Sequence, residues 1–187
     1  ATHVYGVLCD VEAIDAIAQK HNLKVIYDAA HAFGVKKDGK DVSHWGDMAM
    51  FSTHATKVFH TIEGGITVFK DKAIQDELNS LVNFGFNGPE DVTHISTNAR
   101  MNEYEAAMGL CNLGHFWDEV AKREKAAKRY HQHLNGVKGI RFIAPQPGIT
   151  QNYAYFPVFF DGYKYTRDEI QAKLAKENIL ARKYFFP

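Results

Sequence analysis

The 187 residues carry 22 Lys+Arg against 22 Asp+Glu, a formal net charge of zero, with 45% hydrophobic and 24% charged residues, the composition of a globular chain with a core to bury. Balanced charge excludes a nucleic-acid surface built on basic excess, so any nucleotide is expected as a small ligand. No apolar run approaches the roughly 20 residues of a membrane helix, and Cys9 and Cys111 form no CxxC pair, so no membrane span, disulfide framework or metal site is expected and a reducing cytosol is the default setting.

The chain opens Ala1-Thr2-His3 with neither an initial Met nor a charged-then-apolar leader, and reads as soluble and as cut from something longer. Asp10 caps an expected helix whose inner face is Ile14, Ile17, Ala18 and His21. A short strand at 25–27 ends at Asp28, and a second at 47–51 ends at Ser52. Between them Asp38-Gly39 suits a hairpin turn, with the surrounding lysines Lys36, Lys37 and Lys40 on a solvated face. Glu63-Gly64-Gly65 opens a third run at 66–69, and Asp71 starts a helix with Ile74, Leu78 and Leu81 inward. This alternation predicts an α/β layer arrangement.

Residues 83–101 have no period, and a loop that long is usually functional or disordered. Glu103 begins a long helical stretch with Tyr104, Ala107, Met108 and Cys111 on one face. Gly109 and Gly114 each weaken it by roughly 1 kcal/mol against alanine, so a bend near Gly114 is expected, marking passage into a second domain. The charges of 122–129 read as a solvated helix face. Strands are expected at 140–143 and 153–160, a capping box at Thr166 and Glu169 opens a last helix with Ile170 and Leu174 inward, and Ile179-Leu180 resumes an extended run.

Polar groups just past strand ends are where open α/β sheets bind ligands. Taken singly, Asp28 is as well explained as a turn or cap, Lys57 as a surface charge, His31 as a core histidine, and a Ser52-to-Lys57 spacing as chance. Taken together, Asp28-Ala29-Ala30-His31-Ala32-Phe33-Gly34, Phe51-Ser52-Thr53-His54-Ala55-Thr56-Lys57, Glu63-Gly64-Gly65 and Thr97-Asn98-Ala99-Arg100-Met101-Asn102-Glu103 resemble, in order, the cofactor core of the DegT/DnrJ/EryC1/StrS family of pyridoxal phosphate (PLP) sugar aminotransferases. The closing Arg182-Lys183-Tyr184-Phe185-Phe186-Pro187 resembles that family's RxYxxP segment.

The resemblance implies the PLP-dependent transferase type I (aspartate aminotransferase-like) α/β fold, with 1–114 as the second part of the large domain and 115–187 as most of a small C-terminal α+β domain. It also implies that Lys57 joins the aldehyde cofactor and moves protons as general acid and base. Asp28 would hold the cofactor's ring nitrogen protonated, His31 would stand beside the ring hydroxyl and Ser52 would meet the phosphate. Asn98 would reach the partner's cofactor phosphate across a homodimer with shared active sites. The substrates so implied are a nucleotide-linked keto-deoxysugar and glutamate as amino donor, in deoxyaminosugar and polysaccharide biosynthesis. A lysine at 57 favours transamination over the related sugar dehydratases, which carry histidine there. His54 has no assigned role, and two other readings stay open: a non-catalytic PLP-binding or interaction module, and a plain α/β ligand-binding domain. Family segments that would precede Ala1 carry further phosphate donors and a ring-stacking aromatic. The 187 residues alone are therefore expected to be inactive, with a sheet edge unpaired and apolar surface uncovered.

Overall fold

The computed structural model describes residues 1–184; Phe185, Phe186 and Pro187, the end of the RxYxxP match, lie outside the described residues. Helix α1 (Val11–His21) starts where the Asp10 side chain accepts a hydrogen bond from Ala13 N and stops at Asn22 in the left-handed conformation. Its inner face is narrower than the periodicity suggests. Val11 and Ala18 are buried with Ile14 against the core, a single i, i+3, i+7 ridge. Ile17, which sits about 100° around the axis from Ala18, is exposed, as is His21.

Strand β1 (Ile26–Asp28) is followed by the hairpin strands β2 (Lys36–Lys37) and β3 (Lys40–Asp41), then by β4 (Met48–Ser52) and β5 (Gly65–Phe69). β1 pairs in parallel with β4, and β4 antiparallel with β5. Because side chains alternate across a sheet, this register sends Tyr27, Ala49, Phe51 and Ile66 to the face packed on Leu8, Val11, Ala29, Ala32, Val35 and Val42. The opposite face receives Ile26, Asp28, Met48, Met50 and Ser52, and there Ile26 is 56% and Met50 42% exposed. The outer edge of β1, however, is taken up by the first residues of the chain: Asp28 N donates to Ala1 O (2.8 Å) and His3 N to Asp28 O (2.9 Å).

The hairpin forms as its sequence dictates, with Asp38 and Gly39 both at positive φ, the signature of a type I′ turn. Its lysines are not a purely solvated face. Lys37 is bonded to Glu12 (2.8 Å) and lies over the Trp45 ring, while Lys36 lies over Trp117, so both stems are packed against neighbours. A strand that periodicity does not reveal, β7 (Ile149–Thr150), pairs with the free side of β2.

After β5 a 3₁₀ turn capped by Asp71 leads into α2 (Gln75–Val82). Residues 83–101 form an excursion that carries the bridges Asn83–Asn98 and Phe86–Val92 and is tied to α2 by Gly85 N to Ser80 O (2.8 Å), Ala99 N to Val82 O (3.0 Å) and Ser80 Oγ with His94 Nδ1 (3.1 Å). A capping box of Asn102 and Glu105 opens α3 (Glu103–Leu113), and the chain breaks at Gly114 before α4 (Phe116–Leu134). The expected inner face of α3 is corrected: Tyr104 is 82% exposed and Cys111 is exposed, and the buried residue is Gly109. There the helix presses on Thr61, whose methyl would lie 2.9 Å from an added Cβ, so close approach rather than side-chain burial fixes this helix.

The remaining strands, β6 (Ile140–Phe142) and β8 (Val158–Phe160), form an antiparallel pair, and α5 (Arg167–Lys176) opens on the Thr166–Glu169 capping box. The strand expected from residue 153 begins only at 158, because Tyr153 sits at φ 49° and cannot continue a ladder. Ile179 and Leu180 are exposed and belong to no strand. No helix among the described residues is long and apolar enough to cross a membrane.

His3 is fully buried, stacked on Tyr27 at 4.6 Å, with Nδ1 accepting from Cys9 N (3.1 Å). Burial first, then the Ala1 ammonium, lower its pKa to about 4, against an opposing pull from Asp28. Between pH 6.5 and about 4 the unfolded chain therefore binds the extra proton, so stability falls as pH drops through that window, by roughly 3 kcal/mol for a shift of this size. Denaturant melts at pH 7.5 and 4.5 are expected to show this loss, and His3→Gln to reduce the difference between the two; an equal pH dependence in both proteins would contradict it.

Candidate active site

Because β1 and β4 are parallel, their C-terminal ends lie side by side, and each ends in a polar side chain on the same face: Asp28 on β1 and Ser52 on β4. One oxygen of Asp28 accepts from Ala30 N (3.0 Å), starting the turn that carries His31. The imidazole Nδ1 of His31 accepts from Tyr5 N (3.0 Å), and its ring centroid stands 4.6 Å from that of Tyr155. Burial, then the Lys57 ammonium, push the His31 pKa down, while Asp28 pulls it up; the imidazole thus feels both the amine and the carboxylate.

Lys57 is half-buried on residues 53–64, a loop closed at its neck. Thr53 N donates to Gly64 O (3.0 Å), Thr61 N to Thr53 O (2.8 Å), and the buried hydroxyls of Thr53 and Thr61 meet at 2.7 Å. Since Thr61 Oγ1 donates to Glu63 O, Thr53 is the donor of the hydroxyl pair. A Cβ on Gly64 would lie 2.9 Å from both hydroxyl oxygens, so this neck closes only around a glycine. Among the described residues the Lys57 amine makes no hydrogen bond or ion pair. His54 is engaged within the same loop, Nδ1 with Thr56 (2.8 Å to Oγ1) and Nε2 3.4 Å from Glu63. Ser52 Oγ accepts from His54 N (3.4 Å).

Asp28, His31, Ser52 and Lys57 therefore gather at one sheet end, whereas Asn98 does not join them. It lies exposed in the 83–101 excursion, its side-chain oxygen accepting from Arg100 Nε (3.3 Å). A residue that pattern reasoning missed is Asn152. It is 1% exposed, its amide donates to His31 O and Phe33 O (both 2.9 Å), and its oxygen accepts from Ala154 N (3.0 Å). The available signal was weak, a Gln-Asn pair immediately before the strand expected from residue 153. Beside the site an open cleft of about 1260 Å³ runs from Tyr5 and Thr56 past Tyr155 and Tyr184. Arg141 pairs there with Asp161 (3.5 Å), Arg167 and Lys183 with Asp168 (3.3 Å each), and Arg182 donates to the Tyr184 hydroxyl (3.0 Å). Among the described residues no three His, Cys, Asp or Glu side chains could hold a metal ion.

The model of the DegT/DnrJ/EryC1/StrS aminotransferase family matches residues 1–187. The chain belongs to that family. It is 42% identical to a dTDP-4-amino-4,6-dideoxy-D-glucose transaminase of Shigella dysenteriae over 99% of its length and 51% of that protein. It is 31% identical to a GDP-perosamine synthase of Caulobacter vibrioides, again over 99% of its length and 51% of that protein. Among solved structures, DesI with its TDP-sugar product superposes on all of the chain and 48% of its own, with 32% identity and a TM-score of 0.91. The chain spans about half the length of the curated relatives it matches. Its α/β architecture is part of the type I (aspartate aminotransferase-like) fold of PLP-dependent transferases. PLP is the family's cofactor, and the donor set at the ends of β1 and β4 fits it: a carboxylate, an imidazole, a hydroxyl and an amine without a carboxylate partner.

Thr53→Val with Thr61→Val removes the hydroxyl pair while keeping its volume. It leaves Glu63 O without its donor and is expected to cost about 1–3 kcal/mol. Hydrogen exchange should show the Thr53 and Thr61 amides opening faster while those of β1 keep their protection. Unchanged exchange at the neck would show that backbone bonds alone hold the lysine loop.

Proposed function

We propose that the chain is the lysine-bearing part of a PLP-dependent aminotransferase that passes an amino group, with glutamate as donor, to a nucleotide-linked keto-deoxysugar. The observation that carries this reading is the placement of Asp28 and Ser52 at adjacent parallel strand ends with Lys57 on the loop that follows. The matched relatives support the substrate class, being named for dTDP- and GDP-linked amino sugars. A reducing, cytosolic setting accords with Cys9 and Cys111 standing as separate thiols.

In this reading Asp28, anchored by Ala30 N, would hold the cofactor's ring nitrogen and keep its proton there. Ser52 would offer its hydroxyl to the phosphate, and His31 would meet the ring oxygen. Bound PLP supplies the electron sink that lets a C–H bond beside an amine ionise. Lys57, on a loop closed at Thr53 and Thr61, would be the general base and acid that carries the proton between the amine-bearing carbon and the cofactor across the intervening nitrogen. The basic cleft beside Thr56 would take the anionic nucleotide portion of the substrate. The domain division at 114/115 and a homodimer in which Asn98 serves the partner's site belong to the same reading. So does inactivity of the 187 residues alone: the sheet face bearing Asp28 and Ser52 leaves Ile26 and Met50 open to water, and catalysis depends on excluded water and fixed positions.

Borohydride treatment of the whole protein with PLP, followed by peptide mapping, is expected to find the cofactor mass on the peptide holding Lys57. Lys57→Ala should abolish it and reduce turnover by several orders of magnitude, and the 187-residue chain should take up PLP weakly and without turnover. Attachment at Lys70 or Lys72 would overturn the assignment.

A further inference from the structure

We propose that Tyr5 is a positioning residue: its backbone N–H fixes His31 as the neutral tautomer protonated on Nε2, so that His31 can only donate to the ligand atom it meets. The inference rests on the reading above for what that ligand is, but not for the tautomer itself.

The decisive contact is Tyr5 N to His31 Nδ1 at 3.0 Å. A backbone amide only donates, so the ring nitrogen facing it must be bare, and in a neutral imidazole the proton then sits on Nε2. The amide is aimed by an uncommon conformation, Tyr5 at φ 60° and ψ 11°, which a bulky residue adopts only when its surroundings impose it. Those surroundings are visible. Gly6 N donates to His3 O (3.1 Å) and Val7 N to Val4 O (2.9 Å), closing the turn, and His3 is itself buried and stacked on Tyr27. On the other side, Gly6 lies so close that a Cβ would be 3.1 Å from both His31 O and Asn152 Oδ1.

Among the described residues the imidazole is held from separate parts of the chain: Tyr5 holds Nδ1, Asn152 holds the residue's carbonyl (2.9 Å), and the Tyr155 ring packs at 4.6 Å. Protonation would set an Nδ1–H against the Tyr5 N–H. The Lys57 ammonium and burial oppose it too, outweighing Asp28. A neutral Nε2–H beside a lysine and a carboxylate selects an acceptor oxygen as its partner, such as a ring oxygen held as an anion, and rejects a hydroxyl that must itself donate.

The test is nitrogen NMR of the whole protein, labelled with ¹⁵N-histidine and free of cofactor, with His31 assigned by its loss in His31→Gln. The expected pattern is a bare Nδ1 and a proton-bearing Nε2 at pH 7, unchanged in Tyr5→Gly, which keeps the N–H and tolerates the conformation. Replacing the Tyr5 amide by an ester, which removes the donor and also weakens the Val4 carbonyl that accepts from Val7 N, should produce a mixture of tautomers. An Nδ1–H tautomer or an imidazolium in the unaltered protein would overturn the proposal, as would an ester variant with an unchanged pattern. Turnover separates this from the functional reading. Gln accepts and donates as the fixed imidazole does and an ionised Glu cannot donate, so His31→Gln should keep at least about tenfold more turnover than His31→Glu. The expected tautomer together with full activity of His31→Glu would leave the Tyr5 lock standing and remove His31 from the cofactor site.

Discussion

The short parallel pairing of β1 with β4 is the constraint on which the site depends. Only parallel strands bring two C-terminal ends together, and with Ile26 opposite Met48 the polar residues Asp28 and Ser52 fall on one face of the sheet. A register slip of one residue would send one of them into the core among Tyr27, Ala49 and Phe51. The apolar alternation that buries those three thereby also sets where the carboxylate and the hydroxyl emerge. Everything else at the site is loop, and each loop is held by a specific polar tie rather than by its own propensity.

Two of those ties come from far along the chain. Gln146 exchanges hydrogen bonds in both directions with the backbone of Leu8 (2.9 and 2.8 Å), and Asn152 spans His31 and Phe33. Together with β7 on β2, and with Phe116 and Val120 packed beside Phe33 and Phe59, they bind the chain beyond residue 114 to the walls of the site. The third tie, the Thr53–Thr61 pair, closes the lysine loop locally, with α3 packed against it at Gly109. Buried polar groups are costly unless each finds a partner, and here each partner is a backbone or hydroxyl group whose position matters to the site.

What the sequence displayed was whatever depends on near neighbours: the strands ending at Asp28 and Ser52, the Asp38-Gly39 turn, the caps at Asp10, Asp71 and Thr166, and the break at Gly114. What it hid depends on contacts between distant residues. Nothing local marks Ile149–Thr150 as the partner of Lys36–Lys37, or Asn152 as a clamp. Tyr153 falls in an expected strand and Tyr5 carries no local turn signal, yet both adopt positive φ under tertiary constraint. Helix α3 misled in another way: its apolar residues suggested a buried stripe, but contact is made at Gly109, where the absent side chain lets the helix approach. Of the candidate site, the positions of Asp28, His31, Ser52 and Lys57 were legible from motif and strand ends, while the hydrogen bonds that orient His31 and close the lysine loop were not.

The central claim is that this donor set serves amino transfer to a nucleotide-linked sugar, and following the nitrogen itself tests it most directly. The whole protein, supplied with PLP, ¹⁵N-glutamate and a dTDP- or GDP-linked keto-deoxysugar, should deliver the label to a sugar carbon, with Asp28→Asn slowing delivery far more than it weakens cofactor binding. Label that stays in glutamate while the protein is saturated with PLP, or an Asp28→Asn rate within a few-fold of the parent, would contradict the account.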